Sequence, residues 1–156
     1  KFIFLSCYLL LISIMSVGQQ RDKAKPDEPA KKSSKIIVLV RDTTNTAMDR
    51  ITVALFDRGY IIESKDEKLK ILSTKEKSSK KYATLIKIRA SVNDTAIVFT
   101  GVIALGFDIE LFGARDLQPN YSAVYYGGAK KSPLRDAWNE LDAIARTFGD
   151  KIVYAK

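Results

Sequence analysis

The chain has 156 residues, 46% of them hydrophobic, and a formal net charge of +8 at pH 7. This length has room for one domain with one modest core. Histidine is absent and Cys7 is the single cysteine, which excludes Ser-His-Asp and Cys-His nucleophile systems and the usual ligand sets of zinc, copper and non-haem iron. We therefore expect a protein without a cofactor or a metal site.

The first segment, residues 1–18, is predicted to be a secretory signal peptide. It is almost entirely apolar after Lys1 and ends in small residues at Ser16-Val17-Gly18. The alternative is an uncleaved N-terminal membrane anchor, although the apolar run is short for the roughly 20 residues that cross a bilayer. We expect an exported protein, either periplasmic or associated with the cell surface.

A flexible tether is predicted for residues 19–35, which contain two prolines, paired lysines and paired serines without apolar periodicity. Residues 36–156 are then a single domain. The continuous apolar run Lys35 to Val40 predicts a buried first strand.

A first helix is predicted over Ala47 to Arg58, because apolar residues recur there at helical spacing. Thr46 and Asp49 have the form of a capping box, and Gly59 supplies the stop. Two strands follow, at Tyr60 to Ile62 and at Leu69 to Leu72.

A long β-hairpin from Tyr82 to Leu105 is the scaffold of the predicted domain. The polar block Lys75 to Lys81 leads into it as a loop. Apolar and polar residues alternate in the first arm, as in a strand with one buried face. The turn lies at Asn93-Asp94-Thr95, and the second arm is apolar on both faces, which favours a central strand or one covered by a helix.

The C-terminal part carries the strongest helix pattern. Ser132 is a suitable cap, Pro133 suits the first helical position, and the apolar residues from Leu134 to Phe148 form one stripe before Gly149. A last short strand is predicted at Ile152 to Tyr154. These elements predict an α+β fold: an antiparallel sheet of about four to five strands, in the order β-α-β-β-β-β-α, with the C-terminal helix packed across one face.

Two carboxylates, Asp108 and Glu110, would lie on the same side of an extended strand if β structure continues past Leu105. Paired carboxylates hydrolyse glycosides in some enzymes. A wet strand face is the simpler interpretation, and a small carboxylate-based hydrolase is one alternative function. Another alternative function is that of an apolar-ligand carrier, with a cavity between the second helix and the sheet.

The candidate binding site is a Tyr/Gly/Lys loop that leads into the second helix. Glycines and lysines before a helix N-terminus can bind an anion through main-chain amides and the helix dipole. A plain turn with a helix cap is the alternative. The candidate residues are Tyr121, Tyr125, Tyr126, Gly127, Gly128, Lys130, Lys131 and Ser132.

The layout, closing with Ala137-Trp138-Asn139-Glu140-Leu141 and Gly149 to Tyr154, resembles small exported proteins of bacterial envelopes. The element order is similar to the helix-grip-like modules of outer-membrane assembly lipoproteins, although this chain lacks a lipobox cysteine. The resemblance implies an interaction module without catalysis. We expect a non-catalytic envelope module that binds a protein or an anionic glycan or lipid through the sheet face or through the Tyr/Gly/Lys loop. Peripheral membrane association is one form of that binding, and nucleic acid is not an expected partner.

Overall fold

The computed structural model describes residues 28–79, 81–105, 119–149 and 151–156. Within these ranges the chain forms an α+β domain with an open antiparallel sheet of eight strands and two α-helices. The strands are β1 Lys35–Leu39, β2 Ile62–Asp66, β3 Ile71–Thr74, β4 Lys77–Ser79, β5 Thr84–Asn93, β6 Ala96–Leu105, β7 Ser122–Ala123 and β8 Ile152–Ala155. The helices are α1 Thr44–Asp57 and α2 Pro133–Ala145, and a 3₁₀ turn over Arg146–Phe148 follows α2.

The sheet is built around the hairpin of β5 and β6. The main strand order is β2-β3-β5-β6-β1-β8, with β4 also paired to β5 and β7 to β6. Asn93 pairs with Ala96, so Asp94 and Thr95 alone form the turn between two ten-residue strands. The hairpin, the central position of β6 and the closing strand β8 confirm the sequence predictions.

One face of the sheet carries the core. The inward residues of β5 alternate with exposed or half-buried ones, and α2 contacts β6, β1 and β5. Trp138, Leu141 and Ile144 of α2 are at most 2% exposed. The predicted packing of the C-terminal helix on the sheet is therefore confirmed. On the opposite face, Leu39 and Val153 are each 47% exposed.

The predicted number of strands, four to five, was too low for the described residues. The block from Lys75 to Lys81 was expected to be a loop, but Lys77–Ser79 forms β4 against β5. Lysine and serine have low strand propensity, so pairing with the long hairpin overrides local preference here. The two-residue strand β7 at Ser122–Ala123 is likewise added by pairing to β6.

Three predicted element boundaries were also wrong, and one of them is that of β3, which runs from Ile71 to Thr74 instead of from Leu69 to Leu72. Helix α1 begins at Thr44 rather than Ala47, because Thr43 and not Thr46 is its cap. The side-chain oxygen of Thr43 accepts a hydrogen bond from the amide of Thr46. Strand β2 runs from Ile62 to Asp66 instead of from Tyr60 to Ile62. The turn begins at Asp66, where Oδ1 accepts hydrogen bonds from the amides of Lys68 and Leu69, both at 2.9 Å.

Candidate functional site: a basic loop and a polar cleft

The Tyr/Gly/Lys loop is attached to the sheet through Val124. Its amide donates a 2.8 Å hydrogen bond to the carbonyl of Gly101 in β6, and its side chain is 1% exposed. A Cβ atom at Gly101 would lie 3.3 Å from Cγ2 of Val124, so the glycine permits this close approach. The loop therefore leaves the sheet at a fixed point.

Tyr126 lies at the centre of the loop and has a packing role. Its ring meets Trp138 edge-on, with 5.8 Å between the ring centroids. The guanidinium of Arg135 lies 4.0 Å from the centroid of the Tyr126 ring, a cation–π distance. Arg135 forms no ion pair with a carboxylate in the part of the chain that the structure describes, and its buried Nε has no hydrogen-bond partner there.

The backbone of Tyr126 also pairs with the segment before β1. The amide of Lys32 donates to the Tyr126 carbonyl at 2.8 Å, and the amide of Tyr126 donates to the carbonyl of Ser33 at 2.7 Å. Next to them the amide of Ser34 donates to the carbonyl of Ala155 at 2.8 Å. These bonds place Lys31 and Lys32 beside the loop, a proximity that nothing in the local sequence indicates.

Gly128 and Ser132 have structural roles that account for their presence. Gly128 has φ +72°, a left-handed conformation that favours glycine, and a Cβ atom there would lie 2.9 Å from Oγ of Ser132. Ser132 Oγ accepts a hydrogen bond from the amide of Arg135 at 3.2 Å, which confirms it as the cap of α2. Pro133 has no amide hydrogen, and the amide of Arg135 is already hydrogen bonded to Ser132. The N-terminus of α2 therefore offers few free amide donors to an anion.

Gly127 and Tyr121 complete the predicted set. A Cβ atom at Gly127 would lie 2.7 Å from Cε2 of Tyr125, so glycine is needed for the Tyr125 ring to lie against the backbone. The hydroxyl of Tyr121 hydrogen bonds to Glu76 Oε1. That bond is the main cause that raises the pKa of Tyr121 to about 12, so Tyr121 is neutral at physiological pH.

Four lysines remain exposed around this loop: Lys31, Lys32, Lys130 and Lys131. We call them the basic patch. None of them forms an ion pair with a carboxylate among the described residues. The aromatic ring of Tyr125, in a residue that is 37% exposed, lies in the same loop. The patch thus combines unpaired positive charge with an accessible aromatic side chain.

A second site, of which the sequence indicates only the spacing of Ser78 and Lys81, is a polar cleft of about 430 Å³ between β4 and α2. Lys77 of β4 donates hydrogen bonds to the carbonyl of Arg58 at 2.6 Å and to Glu140 of α2 at 3.1 Å. Its ammonium lies 4.5 Å from the centroid of the Tyr60 ring. These contacts link β4, the end of α1 and α2 at one point.

Tyr60 lines this cleft and is 1% exposed. Its hydroxyl has no hydrogen-bond partner among the described residues. Burial, and then the nearby charge of Glu140, raises the pKa of Tyr60, so the hydroxyl keeps its proton. An unpaired buried hydroxyl costs about 1–3 kcal/mol of stability. Tyr60 therefore brings an unsatisfied buried hydroxyl to the lining of the cleft.

The spacing of Ser78 and Lys81, at the mouth of the same cleft, matches that of a Ser-Lys nucleophile pair. Lys81 is exposed, and its contact with Tyr82 raises its pKa. A lysine that stays protonated cannot act as the general base of such a pair. The carboxylates Asp108 and Glu110 lie outside the described residues.

The described residues contain no group of three or more His, Cys, Asp or Glu side chains placed to hold a metal ion. Neither described α-helix has the length and apolar character needed to cross a membrane. Comparison of the sequence with models of known protein families and with curated proteins found no match.

Proposed function

We propose that this protein is a non-catalytic exported module that binds an anionic lipid surface of the cell envelope through the basic patch. The observation that carries the proposal is the pair of backbone hydrogen bonds between Tyr126 and the Lys32-Ser33 segment, at 2.8 and 2.7 Å. They bring two lysine pairs, distant in sequence, to one loop. Export itself rests on the leader-like composition of residues 1–18.

The strength expected of such a surface is modest. Each lysine near an anionic membrane contributes about 1 kcal/mol, so four lysines contribute about 4 kcal/mol. That corresponds to an affinity of about 1 mM for an isolated patch, and Tyr125 adds an amphipathic aromatic ring of the kind enriched at membrane interfaces. The interaction is therefore weak and sensitive to salt.

The chemistry of the patch favours lipid headgroups over a small anion in a pocket. The lysines lie on an exposed loop, and Ser132 with Pro133 leaves few amides free at the end of α2. A small anion would need convergent donors, whereas an extended surface of negative charge needs only unpaired cations facing it. The stacked guanidinium of Arg135 adds a fifth cation close to the loop.

The test is sedimentation of the purified domain with vesicles. We expect binding to vesicles that contain phosphatidylglycerol, none to vesicles of phosphatidylcholine alone, and release at high salt. Equal binding to both vesicle types, or no binding at low salt, contradicts the proposal. An acidic polysaccharide is the second probe, and binding to it without binding to phosphatidylglycerol assigns the patch to a glycan instead.

A further inference from the structure

The cleft between β4 and α2 has the size and shape of a small-ligand site. Its volume of about 430 Å³ lies in the range of roughly 300–1,000 Å³ that small-molecule sites occupy. Tyr60 and Ile86 contribute the apolar part of its lining. Lys77 and Ser79 line it from β4, opposite α2.

The buried hydroxyl of Tyr60 is the first observation that points to a ligand. Nearly all buried polar groups in proteins have a hydrogen-bond partner, and an exception requires an explanation. Tyr60 is 1% exposed, and its hydroxyl has no partner in the part of the chain that is described. The protein thus keeps a buried hydroxyl there that lowers its folding stability unless a partner is supplied.

The charges of the cleft determine which ligand it fits. On the α2 side, Asp136 accepts a 3.1 Å hydrogen bond from Ser79, and Glu140 is paired with Lys77 at 3.1 Å. Lys81 adds an exposed cation at the mouth. An anion would meet two carboxylates, and a cation would meet two ammonium groups. A neutral ligand with both donors and acceptors can bond to all of these groups.

We infer that this cleft binds a small neutral polyhydroxylated molecule, the class to which single sugar rings belong, and that a ligand hydroxyl becomes the hydrogen-bond partner of Tyr60. The exposed amide of Asn139 and the carboxylate of Asp136 bond to further ligand hydroxyls at the rim. Lys77 lies over the Tyr60 ring and moves aside when the ligand enters. This shift breaks the bonds of Lys77 to the Arg58 carbonyl and to Glu140, and the hydrogen bonds of the ligand to Tyr60 and to the rim must offset that loss.

The inference is tested by saturation-transfer NMR and titration calorimetry on the folded domain. The probes are the methyl glycosides of glucose, galactose, mannose and N-acetylglucosamine. We expect at least one of them to bind, and Tyr60→Phe to weaken that binding about tenfold, the loss of one well-formed hydrogen bond. Tyr60→Phe is expected to melt no lower than the wild type, because the hydroxyl it removes has no partner in the protein.

Two matched variants separate the cleft from the rest of the surface. Tyr121→Phe makes the same chemical change outside the cleft, at a hydroxyl that is exposed and hydrogen bonded to Glu76, and leaves glycoside binding unchanged. Asn139→Ala, at the rim of the cleft, is expected to weaken glycoside binding. Failure of all four glycosides to bind, equal binding by Tyr60→Phe and the wild type, or binding of free amino acids or phosphate in their place overturns the inference.

This inference does not depend on the proposed membrane interaction. The double variant Lys130→Glu/Lys131→Glu leaves glycoside binding unchanged, and Tyr60→Phe leaves vesicle binding unchanged. Either site can therefore fail its test without affecting the result for the other.

Discussion

The amide of Lys32 donates a 2.8 Å hydrogen bond to the carbonyl of Tyr126, and Tyr126 returns a 2.7 Å bond to Ser33. This short pairing joins the segment before β1 to the loop before α2. Since Tyr126 also packs against Trp138 in the core, both segments are held at a fixed place on the domain. The basic patch is a product of that pairing.

Two buried threonines, both 0% exposed, provide a matched pair of core substitutions. Oγ1 of Thr74 accepts a hydrogen bond from the amide of Ile88 at 3.0 Å, whereas Oγ1 of Thr84 has no partner among the described residues. Thr74→Val is expected to lower the free energy of unfolding by about 1–3 kcal/mol, because a buried amide loses its acceptor. Thr84→Val is expected to leave it unchanged or to raise it. Urea unfolding of both variants checks this, and equal losses would contradict the hydrogen-bond assignment.

Helix capping gives a second comparison between α1 and α2. Ser132→Ala removes an acceptor 3.2 Å from the amide of Arg135, and we expect a loss of about 1 kcal/mol in the free energy of unfolding. Thr43→Ala removes a longer contact, 3.4 Å from the amide of Thr46, and should cost less. Thermal unfolding with both variants measures the difference. A larger loss for Thr43→Ala would show that the two caps have been ranked wrongly.

The hydrogen bonds of Tyr154 contribute to the free energy of unfolding, and this contribution is lost at high pH. Its hydroxyl donates to Asp142 at 2.7 Å and accepts from Arg146 at 2.9 Å. Burial, and then the hydrogen bond to Asp142, raises the pKa of Tyr154 to about 12, against a usual value of about 10 in an unfolded chain. The neutral tyrosine is therefore favoured in the folded state. This contribution is complete below about pH 10 and is lost as the pH rises through about 12.

The measurement is the difference in the free energy of unfolding between the wild type and Tyr154→Phe. We expect that difference to be constant from about pH 7 to 9 and to shrink in favour of the variant between about pH 10 and 12. Taking the difference removes the common effect of lysine deprotonation. A difference that stays the same over the whole range would show that Tyr154 titrates normally.

Local patterns in the sequence were sufficient to predict the elements on which the core is built. The alternation in Thr84 to Asn93, with the Asn-Asp-Thr turn, predicted the hairpin. Ser132 with Pro133 and the apolar stripe that follows them predicted the start and buried face of α2. In these segments the residues that set the local conformation are also those that pack in the core, so local preference and tertiary packing favour the same structure.

The elements that were missed depend on contacts between distant residues. Strand β4 consists of Lys77, Ser78 and Ser79, which favour loops, and it exists because the first arm of the hairpin offers a free edge. The start of α1 was misplaced because several threonines compete for the cap. The proximity of Lys32 to Tyr126 and the enclosure of Tyr60 between β4 and α2 likewise follow from tertiary pairing. The sequence therefore indicated half of the basic patch and, of the cleft, only the spacing of Ser78 and Lys81.

The most direct test of the account compares three charge-reversal pairs in vesicle sedimentation. The variants are Lys31→Glu/Lys32→Glu, Lys130→Glu/Lys131→Glu and, as a control with the same change in net charge, Lys68→Glu/Lys75→Glu on an exposed part of the β2–β4 region. We predict that the first two pairs each abolish binding to phosphatidylglycerol vesicles at low salt and that the control retains most of it. If all three pairs weaken binding equally, or if the Lys31-Lys32 pair has no effect, the patch that Tyr126 assembles is not the membrane-binding surface.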